Sequence, residues 1–183
     1  MKCERIQYVN FFFIVLQQNF FLVNLYVPNS GQKLVRLDYR MQWDKDLLNY
    51  IQTVERQRNV PVIWLGDLNV AHEKLDVYNY GAKHLAKQAG CTKEERQSFT
   101  RQLQAGYFDA LRELHPSSEG QYTYWSQRTR ARGPNRGLRL DYFVCNNTLL
   151  SENESVVVRD SYIDPEHIGS DHCPIVLEME VTK

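Results

Sequence analysis

Three short stretches of this chain set acids, amides and an imidazole where they could handle a proton or hold an anion. The first is Gly66-Asp67-Leu68-Asn69, which directly follows the apolar run Val62-Ile63-Trp64-Leu65. Bounded by Pro61 and Gly66, that run reads as a strand buried on both faces, so Asp67 sits where a sheet ends. A carboxylate there can move a proton, and the amide of Asn69 can hold a phosphate oxygen in the same cleft. The same four residues are also the composition of an Asx turn that closes a strand. The second stretch is Ser170-Asp171-His172-Cys173-Pro174. An acid beside an imidazole could serve a metal ion and a general base from one loop, or be a polar loop and no more. The third is Arg139-Leu140-Asp141-Tyr142-Phe143, where Asp141 is a lone acid in an apolar strand. A buried carboxylate needs a partner. Arg139 is one candidate; a histidine that Asp141 holds in one tautomer is the other.

A fourth feature concerns charge. The segment Gln127–Arg139 carries five arginines (Arg128, Arg130, Arg132, Arg136, Arg139) and no acid, and Gly133, Pro134 and Gly137 make it a loop. Tyr122, Tyr124 and Trp125 precede it. Arginines beside aromatic rings suit a nucleic-acid backbone; a solvated loop is the alternative. The chain balances 22 basic against 22 acidic residues, and a neutral total excludes no anionic ligand, because a local cluster suffices. Cys3, Cys91, Cys145 and Cys173 are scattered with no C-x-x-C pair, which argues against a zinc site and a disulfide scaffold and points to a reducing compartment.

These residues must be positioned by the elements around them. A chain of 183 residues with 43% apolar content fits a single domain spanning 1–183. The segment Phe11–Val27 is very apolar, but Gln17, Gln18 and Asn19 interrupt it well short of the ~20 apolar residues of a membrane span. No small-residue cleavage site follows, so no membrane or secretory role is expected. A hairpin of Tyr8–Leu16 and Phe20–Val27 explains both the apolarity and the polar break. Pro28-Asn29-Ser30-Gly31 is a turn, and Leu37, Met41, Leu48, Ile51 and Val54 predict an amphipathic helix over Val35–Gln57. Thr92-x-x-Glu95 predicts a capped helix ending near Gly106. Strands are expected at Tyr122–Trp125, Leu138–Cys145, Ser155–Tyr162 and Ile175–Val181. The fold class is α/β with a mixed sheet.

Tyr26-Val27-Pro28-Asn29-Ser30-Gly31, Gly66-Asp67-Leu68-Asn69-Val70-Ala71-His72-Glu73, the segment Arg139–Phe143 and the segment Ser170–Pro174 occur in that order. Together they resemble the exonuclease III-type apurinic/apyrimidinic endonucleases. The GDxN and SDHxP elements are shared with a wider superfamily, whereas YVPNSG and RLDYF narrow the match to the DNA-repair branch. The resemblance runs from about Arg5 to the end of the chain. It implies a partial four-layer α/β sandwich with two mixed β-sheets flanked by helices. It also implies Mg²⁺-dependent hydrolysis, with Mn²⁺ as an alternative ion, of the phosphodiester 5′ to an abasic site in double-stranded DNA, with 3′ exonuclease or 3′ phosphodiesterase trimming as the alternative activity.

Carried onto this chain, the resemblance makes Asp67 the acid that activates water or assists the leaving group, and Asn69 a phosphate-binding residue. His172 is similar to the catalytic histidine, Asp141 to its orienting carboxylate and Asp171 to a metal ligand, while Tyr26 and Asn29 match the phosphate side of the cleft. Tyr124 and Leu138 match the walls against the abasic sugar, Leu138 standing where eukaryotic relatives often carry Trp. Arg128 lies where some relatives insert an apolar side chain into the duplex, and Arg132 is the further expected DNA contact. In the family an earlier stretch supplies an Asn/Asp pair and a Gln-Glu whose Glu is the principal metal ligand. Nothing before Tyr8 matches it, so an incomplete domain with weak metal binding and little activity is expected. The remaining readings are a DNA-binding remnant without catalysis and a phosphodiesterase of the same superfamily with another substrate. A monomer in the nucleus, or in mitochondria or cytoplasm, is the expected setting.

Overall fold

Burial follows the apolar pattern closely. In the computed structural model, which describes residues 13–16 and 19–182, Val62, Ile63 and Trp64 are the buried start of the central strand of a five-stranded sheet. The strands are β1 (Phe13–Leu16), β2 (Phe21–Tyr26), β3 (Val62–Asp67), β4 (Tyr107–Asp109) and β5 (Asp141–Asn146), in the order β1-β2-β3-β5-β4. β1 and β2 form the expected antiparallel hairpin, Leu16 opposite Phe21. Residues 8–12, Gln17 and Gln18 of that expectation, and Cys3, lie outside the described residues. β2 and β3 run parallel, joined by helix α1 (Leu37–Arg58), while β5 runs antiparallel to β3 and β4. The sheet is therefore mixed, as expected. A second sheet pairs β6 (Val156–Ile163) with β7 (Ile175–Val181). It is antiparallel, where mixed pairing was anticipated.

The period-2 alternation of β2 sends Phe21, Val23 and Leu25 to one face, where they join Trp64, Val144 and Tyr142 under α1 and helix α2 (Lys93–Gln104). The opposite face, with Ile63 and Cys145, packs against Val156, Val158, Leu177 and Met179 of the second sheet. One register step would exchange the two sets, so this partition fixes which strand-end residues face the second sheet.

Helix α2 starts with the expected capping box: the Thr92 hydroxyl accepts from Glu95 N, and the Glu95 carboxylate accepts from Thr92 N. Helix α1 ends at Asn59 in the left-handed conformation, its N–H donating to Glu55 O. Two expectations need correction. Tyr122–Trp125 is not a strand; Tyr124 makes single bridges to Leu138 and to His172. The reason is Thr123, whose side-chain hydroxyl accepts both Leu140 N and Asp141 N and so diverts ladder donors. For the same reason the expected strand at Leu138 begins only at Asp141. Strand β4 and helix α3 (Ala110–Leu114), with Asp109 as its N-cap, complete the core. Among the described residues no helix is long and apolar enough to cross a membrane.

Candidate active site at the sheet edge

Tyr26, Asp67 and Asp141 are register partners across three adjacent strands: Tyr26 opposite Asp67 on β2/β3, and Asp67 opposite Asp141 on β3/β5. In-register partners point to the same face, so the three side chains form one row at one end of the sheet, on the side that meets the second sheet. The second sheet contributes the loop between β6 and β7. That loop is fixed by Trp125 N donating to Asp171 O and Cys173 N donating to Thr123 O. It carries His172 to the row, where His172 Nδ1 lies 2.7 Å from Asp141 Oδ2 and the His172 ring packs, tilted by 52°, at 5.1 Å from the Tyr124 ring. Of the two partners open to Asp141 from the sequence, the structure chooses His172.

Arg139 is engaged elsewhere. It is 1% exposed, reaches both carboxylate oxygens of Asp76 and of Asp109, and lies over the Tyr142 ring. The expected five-arginine surface loop is therefore four arginines and one core residue. Arg132 is engaged within the chain. Its guanidinium donates to the carbonyls of Pro165, His167 and Ser170 and covers the Trp125 ring, so it braces the loop that ends at His172. Arg128 stays exposed. It lines a cavity of about 630 Å³ together with Tyr78, His84, Arg136, Tyr124 and Leu138. Tyr124 and Leu138 thus share one concavity beside His172.

The loop after β3 turns sharply. Gly66 has φ +116, and a Cβ there would stand 2.1 Å from the Leu25 carbonyl, so glycine lets β2 and β3 close together under Asp67. Asn69 takes φ +48, a left-handed conformation that asparagine tolerates. Its backbone N–H donates to Asp67 Oδ1, and its side-chain amide donates to Asp67 Oδ2 and to Val27 O. Asn29 reaches across from the loop after β2 and donates to Asn69 Oδ1 at 2.9 Å. Asn69 is 5% exposed and Asn29 half-buried, so Asn29 is the amide nearer solvent. The neighbouring Ser30 hydroxyl donates to the capping Glu95, tying this turn to α2. The rest of the second motif is structural: His72 packs on Phe99 and bonds Thr100, and Glu73 forms a capping box with Asp76.

The electrostatics of the row follow from burial and like charge. Burial, then the Asp141 carboxylate across the ladder, push the Asp67 carboxyl up to about 6, against the opposing pull of the Asn69 N–H, His172 and Arg40. Burial disfavours the charged His172 ring. The hydrogen bond and charge of Asp141, with Asp67 and Asp171, outweigh it and hold the imidazole pKa above its ordinary value. The row therefore pairs a carboxyl raised to about 6 with an imidazole whose charged form is favoured by its carboxylate neighbours, two groups suited to opposite halves of a proton transfer.

A divalent ion would need oxygen ligands, for Mg²⁺ typically one or two carboxylates, waters and a substrate phosphate. Among the described residues no group of three or more His, Cys, Asp or Glu side chains is placed to hold a metal. Asp171 adjoins His172, while Asp67 and Asp141 are hydrogen-bonded to Asn69 and His172. The described residues thus do not make a complete metal site.

Residues 7–172 match the model of the Endonuclease/Exonuclease/phosphatase family, and the chain belongs to it. It is 42% identical over 164 residues to an exodeoxyribonuclease of Bacillus subtilis, a match spanning 90% of this chain and 62% of that protein. It is 45% identical over 163 residues to the DNA repair nuclease APEX1 of Danio rerio, spanning 89% of this chain and 50% of that protein. Among solved structures, the AP endonuclease LMAP of Leishmania major superposes with a TM-score of 0.81 at 38% identity, over 90% of this chain and 50% of that one. The chain thus spans between half and two thirds of the length of these relatives.

Proposed function

We propose that this cleft hydrolyses the phosphodiester backbone of double-stranded DNA 5′ to abasic sites, as the DNA-repair names of its relatives suggest. The observation that carries the reading is the His172–Asp141 pair at 2.7 Å, set in the same row as Asp67. In this reading Asp67 accepts a proton from the attacking water. The imidazolium of His172, oriented by its Nδ1–H on Asp141, stabilises charge on the phosphate oxygens as the bond to the leaving 3′ oxygen breaks. That oxygen takes the Nε2 proton of His172 and leaves as a 3′ hydroxyl, while the water oxygen stays on the 5′ phosphate. Asn29 and Asn69 line the phosphate side, and Tyr26 closes the row. Tyr124 and Leu138 wall the baseless sugar, and exposed Arg128 tracks the backbone.

Mg²⁺, with Mn²⁺ as substitute, is the ion the reaction is expected to require, and Asp171 is its proposed ligand. A genomic substrate makes the nucleus the proposed compartment, and a monomer the proposed state. The incomplete set of metal ligands among the described residues favours a second reading, in which the chain binds abasic DNA without cutting it. Incubating the chain with an end-labelled duplex holding one tetrahydrofuran abasic analogue, with and without Mg²⁺, separates the two. Cleavage 5′ to the analogue that requires the ion supports hydrolysis. Retarded but uncut duplex supports binding alone, and neither outcome on the duplex defeats both readings.

A further inference from the structure

We propose that Arg40, on the buried side of α1, is the positioning residue that sets the separation of the Asn29 and Asn69 loops and thereby shapes the phosphate side of the cleft. The proposal rests on the reading of this cleft as a phosphodiester site. Its physical basis is a single guanidinium with four acceptors. Arg40 is 2% exposed. Nη1 donates to Pro28 O and to Asn69 O, each at 3.2 Å; Nη2 donates to Leu68 O at 2.8 Å; Nε donates to Asp44 Oδ1 at 2.7 Å. Pro28 immediately precedes Asn29, and Leu68 and Asn69 immediately follow Asp67. One rigid fork therefore bridges the two loops whose amides meet at 2.9 Å, Asn29 Nδ2 to Asn69 Oδ1.

The carbonyls it satisfies are the ones these turns leave without a ladder partner. Asn69 is held left-handed, and Pro28 lies just beyond the last register pair of β2 and β3. A lysine would keep the charge, yet a single ammonium on a flexible stem cannot reproduce a planar fork aimed at two loops. The ion pair with Asp44 is no simple source of stability, since burial outweighs the attraction of Arg40 and raises the Asp44 carboxyl above its ordinary value. A buried pair that does not repay its own desolvation is better accounted for by the geometry it enforces.

The test is a pair of conservative variants, Arg40→Lys and Asp44→Asn, in the full chain, with a readout that does not depend on catalysis. In the wild type the side-chain NH₂ signals of Asn29 and Asn69 should exchange slowly with solvent. Arg40→Lys should speed that exchange at least tenfold while the backbone amides of α1 and β3 keep their protection. Where the wild type cleaves abasic duplex, Arg40→Lys should lower kcat/KM at least tenfold at a temperature where the variant is fully folded. Combining it with Asn69→Ala should cost no more than Asn69→Ala alone, because both act through one amide. Asp44→Asn, which leaves the three carbonyl contacts, should show the same pattern at a smaller size and serves if Arg40→Lys does not fold. Unchanged side-chain exchange in a folded variant overturns the proposal, as does a cleavage loss that adds fully to that of Asn69→Ala. A wild type that cleaves nothing defeats the phosphodiesterase reading, and the exchange measurement still decides the role of Arg40.

Discussion

Asp67→Asn should stabilise the fold at alkaline pH while removing the function proposed for the site. The Asp67 carboxyl is raised from its ordinary value of 3.8 to about 6, so at pH 8 the folded chain carries a charge that its surroundings disfavour. At about 1.36 kcal/mol per pH unit, that amounts to about 3 kcal/mol against folding. The sign follows from proton counting. Between 3.8 and about 6 the native state binds more protons than the unfolded one, so the contribution of Asp67 is most favourable below 3.8 and is lost as pH rises through about 6. Asparagine removes the charge but turns a donor toward the Asn69 amide that now donates to Asp67 Oδ2, a loss of about 1 kcal/mol. The net expectation is stabilisation of about 2 kcal/mol at pH 8, shrinking to near zero at about pH 4.5. Urea denaturation of both chains at the two pH values measures it. Equal destabilisation of Asp67→Asn at both values would refute the assignment of a strained, partly buried carboxylate.

Further expectations follow from the same structure. Arg139→Leu leaves Asp76 and Asp109 buried with one cation fewer, and should cost about 3–5 kcal/mol in urea denaturation. Gly66→Ala places a Cβ on the Leu25 carbonyl at a backbone angle alanine resists, so a loss of roughly 2 kcal/mol or more, with reduced cleavage, is expected by chemical denaturation and nicking assay. Arg128→Ala should lower the slope of log K against log salt for duplex binding by about 0.9, one phosphate contact, whereas Arg132→Ala should leave the slope unchanged, because that guanidinium is committed to three carbonyls.

The pieces of the site were legible because each lies in a short motif whose chemistry shows locally: an acid closing a buried strand, an acid beside a histidine, a lone acid in an apolar strand. Their convergence depends on register, and the sheet supplies it by pairing Tyr26, Asp67 and Asp141 across three strands. Arg40 was invisible for the opposite reason. Arg40 and Asp44 are spaced i,i+4 on an amphipathic helix, which is how an exposed ion pair reads, and only the tertiary fold shows that both are buried. Arg139 misled in the same way: its partners stand 63 and 30 residues away, so the sequence offered only its arginine-rich neighbours. The hairpin, α1, α2, β6 and β7 were readable from alternation and capping. The failed strand at Tyr122–Trp125 turned on a single Thr123 hydroxyl taking two backbone donors, a contact that propensity does not carry.

Single-turnover cleavage of an abasic duplex by Asp141→Asn, compared with His172→Ala and the double variant, tests most directly whether Asp141 acts by holding His172. Each single change should lower the rate on the order of 10²-fold or more, with no further loss in the double variant. Cleavage by Asp141→Asn within threefold of the unaltered chain, with His172→Ala strongly impaired, would contradict that role.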